Sequence, residues 1–228
     1  MRKLGWSLAA IVVIAIVGFF VAPWVYGNFI AEDDAPAASV SESGAEAASG
    51  ELNGSWTVTA GTDPNRTAAG YTVEEILRGA DVTVVGSTDQ VTGTATIEND
   101  TLTAAEVTVR VDSVTTDSSQ RDGQFRDRVM NTGTYPTATF VLTEPVDLTA
   151  LPTDGTVTTL PATGTLTLRG QERPATLEVQ VLRTGDVIVA SGSIPTVWAD
   201  YGVEPPNLGF VTVDSTGSID FLITLERN

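Results

Sequence analysis

Apolar and polar residues alternate with a period of two through most of the chain after residue 53. The alternation is clearest in three runs, formed by Val107, Val109 and Val111, by Leu177, Val179 and Val181, and by Ile219, Phe221, Ile223 and Leu225. Successive side chains of a β-strand point to opposite faces, so this pattern predicts strands that each bury one face. Turn signals rich in glycine separate the runs. The sequence therefore predicts an all-β fold in which short antiparallel strands close into a barrel.

One stretch of this pattern is ambiguous. We place strands near residues 55–60, 81–86, 90–98, 101–111, 137–143, 157–169, 173–184, 187–195 and 214–226. In residues 70–77, Tyr71 and Val73 alternate as they would in a strand, whereas the run Val-Glu-Glu-Ile-Leu also fits a helical turn. Both interpretations stay open for this stretch.

A single short helix is expected between two of the strands. Asp117 or Ser119 is a candidate N-cap, because Asp and Ser side chains accept hydrogen bonds from the free N–H groups of a first helical turn. The helix is expected to run to about Met130. Tyr135-Pro136 then stops it, since proline lacks a backbone N–H and favours an extended residue before it.

The same helix carries most of a basic island in an otherwise acidic chain. Arg121, Phe125 and Arg128 share one face at helical spacing, which would place an aromatic ring between two guanidinium groups. Guanidinium groups bind phosphate or carbonyl oxygens, so Arg121, Arg126 and Arg128 are candidate ligands for the head group of an amphiphile. The alternative is that the arginines of the helix pair with nearby carboxylates and fasten it over the barrel end. The candidate partners are Asp117, Asp122 and Asp127.

The first 31 residues predict a membrane anchor. Residues 4–31 carry no charge and include about 20 mainly apolar positions, enough to cross the hydrocarbon of a bilayer as a helix. Arg2 and Lys3 precede this stretch and acidic residues follow it, which predicts a single-pass protein of the cell membrane with a cytoplasmic N-terminus. The alternative is a cleaved secretory signal. Either way the domain that begins at residue 54 and ends at residue 228 is expected outside the cytoplasm.

Residues 32–53 predict a flexible acidic linker. This segment is rich in Ala, Ser, Glu and Gly and offers little apolar surface to bury. We therefore expect it to be disordered and to tether the barrel close to the membrane.

Composition excludes several classes of function. The net charge of −17 disfavours a nucleic-acid partner, because phosphates would be repelled over most of the surface. The chain has no cysteine and no histidine, so it lacks thiolate sites, the usual general base and the commonest metal ligand. No cofactor, metal site or catalytic residue is expected. The acidic pair Glu74-Glu75 and the run from Glu98 to Asp100 are interpreted as solvated faces.

The basic island also carries a family resemblance. The motifs, in order along the chain, are Arg121-Asp122, Phe125-Arg126, Tyr135-Pro136 with Phe140, the run from Gly164 to Gly170, and Arg173-Pro174. Over roughly residues 54–226 this pattern resembles the YceI family of lipid-binding proteins. The resemblance implies a lipocalin-like antiparallel barrel that holds a polyisoprenoid or similar amphiphile, without known catalysis. Family members often carry histidines early in the domain, and this chain departs from them there.

Two functions follow as expectations. The first is a membrane-tethered protein that carries or sequesters an isoprenoid-type lipid, a quinone or polyprenyl derivative, in a barrel channel. Its candidate ligand-binding residues are Arg121, Phe125, Arg128, Phe140, Leu142, Leu166, Leu168, Trp198 and Phe210. The alternative is an interaction module of the cell envelope that binds another protein and whose apolar residues fill the barrel as a solid core.

Overall fold

The computed structural model describes residues 37–77, 79–207, 209 and 211–228. These residues form one sheet of β-strands and one short α-helix, α1 (Ser119–Gln124). The strands are β1 (Gly54–Thr59), β2 (Ala68–Leu77), β3 (Ala80–Thr88), β4 (Val91–Glu98), β5 (Thr101–Arg110), β6 (Thr137–Leu142), β7 (Val146–Asp147), β8 (Val157–Leu168), β9 (Gln171–Thr184), β10 (Val187–Val197), β11 (Val211–Val213) and β12 (Thr216–Arg227).

Eight of the strands close into an antiparallel barrel. Their order is β1-β4-β5-β6-β8-β9-β10-β12, and β12 pairs with β1 to complete the circle. Only the last part of β12 pairs with β1, from Thr224↔Thr59 to Arg227↔Trp56. Its earlier part, from Ser218 to Leu222, pairs with β2 instead. The hairpin β2–β3 and the short strand β11 therefore extend the wall at one end of the barrel, and the prediction of an all-β antiparallel barrel is confirmed.

Strand β2 resolves the ambiguous stretch. It pairs with β3 along its whole length and with β11 and β12 on its other edge, so both rows of its backbone groups are satisfied by a sheet. Those long-range partners decide against the helical turn that the local sequence also allowed. The two shortest strands, β7 and β11, were not expected, because two or three residues carry no measurable alternation.

The helix differs in detail from the expectation. Its N-cap is Ser118, whose side chain accepts a hydrogen bond from the backbone N–H of Arg121 at 3.4 Å. The regular helix stops at Gln124 and continues as a wider π-turn over Phe125–Val129, closed by the Met130 N–H bonding to the Phe125 carbonyl at 2.8 Å. A π-turn holds one residue more per turn than an α-helix, so the helical spacing used in the prediction fails beyond Phe125.

Residues 37–53, which we call the strap, lie along the outside of the barrel. The Val40 N–H bonds to Ser191 Oγ at 3.3 Å, and the Glu46 N–H bonds to Thr184 Oγ1 at 2.8 Å. Farther along the strap, Leu52 is buried and its carbonyl accepts a 3.0 Å hydrogen bond from the Trp56 indole. The expectation of a disordered linker is therefore wrong for these residues.

The strap is ordered because it covers apolar residues that face outward. Leu182, Val189 and Leu222 form a second buried cluster outside the barrel interior, and Val40 and Ala45 of the strap pack against it. The strap has too few apolar residues to form a core of its own. Two of them suffice to order it, because the barrel wall supplies the rest of the apolar surface.

The expected membrane anchor, residues 1–31, lies outside the described residues. Within the part of the chain that the structure describes, no helix is both long enough and apolar enough to cross a membrane.

Candidate ligand-binding site

An apolar cavity of about 430 Å³ occupies the end of the barrel that carries the helix. Its wall comes from inward-facing residues such as Val73 on β2, Val107 on β5 and Val179 on β9. The other end of the barrel is filled instead, since Trp56 and Ile97 are buried there and do not line the cavity. The volume falls within the range of roughly 300–1,000 Å³ that is typical of small-molecule sites. The interior is therefore a solid core at one end and a ligand-sized space at the other.

Aromatic rings shape the inner surface of the cavity. Tyr71 on β2 and Phe125 at the start of the π-turn stack with their ring centroids 4.9 Å apart and their planes 13° from parallel. This offset contact joins the helix to the sheet across the cavity wall. Phe140 lies against Gly164 on the neighbouring strand, where a methyl group would come within 2.3 Å of the ring. The absence of a side chain at position 164 thus allows the ring to lie against the wall.

Two buried carboxylates, Glu75 and Asp220, belong to the mainly apolar lining. Glu75 lies on the cavity side of β2 and is only 6% exposed. Its Oε1 accepts a hydrogen bond from Nη2 of Arg121 at 3.2 Å. The guanidinium also donates through Nη1 to Thr116 Oγ1 at 3.3 Å and to the Asp117 carboxylate. Arg121 therefore connects β2, the loop before the helix and the helix itself.

The electrostatics of this cluster favour the charged form of Arg121 despite its partial burial. Burial is the largest influence on the pKa of Arg121 and by itself lowers it, but the Glu75 and Asp117 carboxylates outweigh it and raise the pKa overall. Nearby, buried Asp122 accepts hydrogen bonds from the backbone N–H of Thr116 at 2.9 Å and from its hydroxyl at 2.8 Å. Two carboxylates, those of Glu75 and Asp117, thus contact one guanidinium, and this cluster is net negative.

No group of His, Cys, Asp and Glu side chains that could hold a metal ion occurs in the described ranges. The cavity instead combines an apolar wall with polar groups at two places, the Glu75–Arg121 cluster and Asp220, whose carboxylate accepts hydrogen bonds from Thr72, Ser193 and Ser218. This combination suits the binding of an amphiphile.

Comparison with protein-family models gives a match to the YceI-like domain over residues 61–225. The chain belongs to the YceI-like family. Among solved structures, its fold is similar to a polyisoprenoid-binding domain from Saccharophagus degradans that is implicated in plant cell wall breakdown. The TM-score is 0.60 at 22% identity, covering 76% of this chain and 98% of that one. Burkholderia cenocepacia BcnA is also similar, with a TM-score of 0.55 at 20% identity, covering 69% of this chain and 95% of that one. Comparison with curated protein sequences gives no significant match.

The YceI-like barrel brings most of the sequence-predicted site residues to one place. Six of the predicted site residues line the cavity, namely Arg121, Phe125, Phe140, Leu166, Leu168 and Trp198. Leu142 is half-buried and packs against the core without lining the cavity. Arg128 lies in the π-turn and is exposed, so Phe125 stacks on Tyr71 and is not held between two arginines. Phe210 lies outside the described residues.

Two cavity residues on β2 escaped the sequence analysis. Tyr71 belonged to the ambiguous stretch, and Glu75 was interpreted as part of a solvated face. The structure instead buries Glu75 and leaves Ile76 46% exposed. A period-two pattern through Tyr71, Val73, Glu75 and Leu77 is the signal that could have found both.

Proposed function

We propose that this YceI-like protein is a binding protein that carries or sequesters an isoprenoid-type lipid, a quinone or polyprenyl derivative, in the barrel cavity. The observation that carries the proposal is the cavity itself, apolar over most of its wall and polar at the Glu75–Arg121 cluster. A solved structure with a similar fold is described as a polyisoprenoid-binding domain, which agrees with this class of ligand. The alternative of a filled barrel that serves only as an interaction module does not account for the cavity.

Energetics favour transfer from a membrane over capture from water. Each buried methylene contributes about 0.8 kcal/mol when it leaves water, so a long isoprenoid taken from water would exceed any known affinity. A lipid that leaves a bilayer is already in an apolar environment, and its net gain on entering the cavity is small. Selectivity then depends on cavity shape and on polar contacts at the head group.

The proposal includes an extracytoplasmic site of action, with the barrel held at the membrane by residues 1–31. Its support is the uncharged run of residues 4–31 and the distribution of charge on either side of it. Fractionation of cells that express the full chain should place it in the membrane, with the barrel accessible to protease added from outside. Recovery of the barrel in the cytoplasm would contradict this part of the proposal.

We propose no catalytic role. The chain contains no histidine and no cysteine, and Glu75 and Arg121 in the cavity wall are engaged in hydrogen bonds and ion pairs rather than arranged as a nucleophile and a base.

Mass spectrometry of an organic extract tests the ligand proposal directly. Protein purified from its native source should release an isoprenoid species in stoichiometric amount. Extracts that repeatedly contain no such species would remove the carrier function. A lipid of another class would retain a lipid-binding role but refute the isoprenoid assignment.

A further inference from the structure

We propose that the end of the barrel that holds the cavity faces the bilayer, so that a lipid passes directly between the membrane and the cavity. The docking partner is the lipid surface in which residues 4–31 are expected to be anchored. The inference rests on the proposed function, since it needs that anchor, and it specifies how the barrel is oriented on the membrane.

The first argument is the direction in which the strap runs. At its start, Ala37 lines a surface recess together with Asp117, which precedes the helix, and with Asp220 on β12. Near its end, the Ser49 N–H bonds to the Gly185 carbonyl at 2.7 Å, in the turn between β9 and β10 at the filled end of the barrel. The strap therefore runs from the side of the cavity towards the filled end. The chain before residue 37 joins the barrel on the side of the cavity.

The second argument is the length of chain between the expected anchor and the strap. Only residues 32–36 separate the two, and five residues of flexible chain have a root-mean-square reach of about 12 Å. From Asp220, beside the start of the strap, the cavity end of β12 at Thr216 lies about 10 Å away along the axis of a barrel with tilted strands. The filled end at Arg227 lies about 18 Å away in the opposite direction. The short connection therefore favours an orientation with the cavity end next to the membrane.

The third argument is the apolar surface at the cavity end. Of the three large apolar side chains that are exposed in the described part of the chain, two lie there, namely Ile76 and Val197. Ile76 belongs to the part of β2 that extends beyond the pairing with β12, and Val197 is the last residue of β10. The third, Val141, lies on the side wall of the barrel. Apolar side chains on a rim are stabilised when they enter the interface of a bilayer.

Two arginines at the same end are placed to contact lipid phosphates. Arg128 in the π-turn and Arg173 near the start of β9 are exposed, and neither forms an ion pair with a described residue. Guanidinium groups form strong hydrogen bonds with phosphate oxygens. The chain as a whole is acidic, so docking depends on the anchor and the apolar rim rather than on net charge.

Site-specific quenching tests the orientation. The chain has no cysteine, so Ala199→Cys and Ala150→Cys each provide a single site for a fluorescent label. Both positions are exposed, and they lie at the cavity end and at the filled end, about 30 Å apart along the barrel axis. Each labelled full-length protein is reconstituted into vesicles of phosphatidylethanolamine and phosphatidylglycerol that contain a lipid with a nitroxide on its head group. We expect the nitroxide to quench the label at position 199 and to leave the label at position 150 as bright as in vesicles without nitroxide.

A matched pair of substitutions tests whether the apolar rim makes the contact. Ile76→Asp, introduced into the Ala199→Cys protein, places a charge on the rim and should lower the ratio of docked to undocked barrels by about tenfold. Val141→Asp is the control, because it adds the same charge at a similarly exposed apolar position on the side wall. It should leave the quenching unchanged.

The outcomes separate the inference from the proposed function. Equal quenching at the two positions, stronger quenching at position 150, or quenching at neither position in protein that has entered the vesicles would overturn the orientation and leave the carrier function standing. Failure of the full-length protein to enter the vesicles would overturn both the anchor and the inference. The content of bound lipid is measured separately by extraction and does not depend on the orientation.

Discussion

Glycine at two positions in the barrel wall lets aromatic side chains lie flat around the cavity. At Gly164 a methyl group would lie 2.3 Å from the Phe140 ring and 2.5 Å from the Val141 carbonyl oxygen. At Gly217 it would lie 2.4 Å from the Trp198 indole. Real carbon contacts are longer than this, so any side chain at either position must push a cavity-lining ring away from the wall.

Gly164→Ala tests this packing. The new methyl group should displace Phe140 into the cavity and lower the free energy of unfolding by about 2 kcal/mol, as overpacking in a core does. Bound lipid should fall with it, because the displaced ring takes up ligand space. Gly133→Ala is the control, since a methyl group there meets no other atom within 4 Å. Equal stability and lipid content in the two variants would contradict the role of Gly164.

Phe125 contributes both to stability and to ligand retention through its stack with Tyr71. Phe125→Ala removes a ring that is half-buried, so we expect a loss of about 2 kcal/mol in the free energy of unfolding, less than for a fully buried phenylalanine. The cavity wall would open beside the π-turn, and lipid should dissociate faster. Dissociation rates measured by transfer to acceptor vesicles check this. An unchanged rate would show that Phe125 does not close the cavity.

At the scale of elements, the helix is held on the barrel by Arg121 and its partners. Arg121 is 23% exposed in its side chain and Glu75 only 6%, so removing the arginine leaves a buried carboxylate without a counter-charge. Arg121→Ala should therefore lower the free energy of unfolding by about 3 kcal/mol. Bound lipid per folded protein should stay close to the unmodified value, because Arg121 is already engaged by protein groups. Reduced lipid in a fully stable variant would instead make Arg121 a head-group ligand.

Two further variants calibrate that prediction. Arg128→Ala should change stability by no more than about 0.5 kcal/mol, since Arg128 is exposed and forms no ion pair with the described residues. Replacing both Glu75 and Arg121 by Met should recover much of the loss, because an apolar pair carries no desolvation cost. Chemical denaturation of the unmodified protein, Glu75→Met, Arg121→Met and the double variant gives the coupling between the two residues.

The sequence alone predicted most of the strands. It did not predict the elements whose conformation depends on contacts between residues far apart in the chain. Strand β12 was predictable because Ile219, Phe221, Ile223 and Leu225 place an apolar residue at every second position. Strand β2 was ambiguous because its choice depends on partners in β3 and β12 that no local window contains. The burial of Glu75 could not be predicted, because glutamate side chains are usually exposed. Such exceptions to residue preference are expected at functional sites.

At the scale of the whole molecule, the barrel and the strap form one folded unit. Leu182, Val189 and Leu222 are almost completely buried although they face out of the barrel. A signal for this existed in the sequence, since each lies beside an inward-facing apolar residue and so interrupts the alternation. Strands buried on both faces show such continuous apolar runs. The strap supplies the second cover, and a domain boundary at residue 54 would cut through this packing.

The strap therefore predicts how truncated forms behave. A chain that begins at residue 37 should fold as a monomer. A chain that begins at residue 51 exposes the three outward-facing apolar side chains. It should lose about 3 kcal/mol in the free energy of unfolding and self-associate. Val40→Asp in the longer form should reproduce part of this loss, because it places a charge against Leu182, Val189 and Leu222. Ser43→Asp adds the same charge at an exposed strap position and should be neutral. Thermal melts and gel filtration decide, and identical behaviour of the two truncated chains would mean that the strap contributes nothing to the fold.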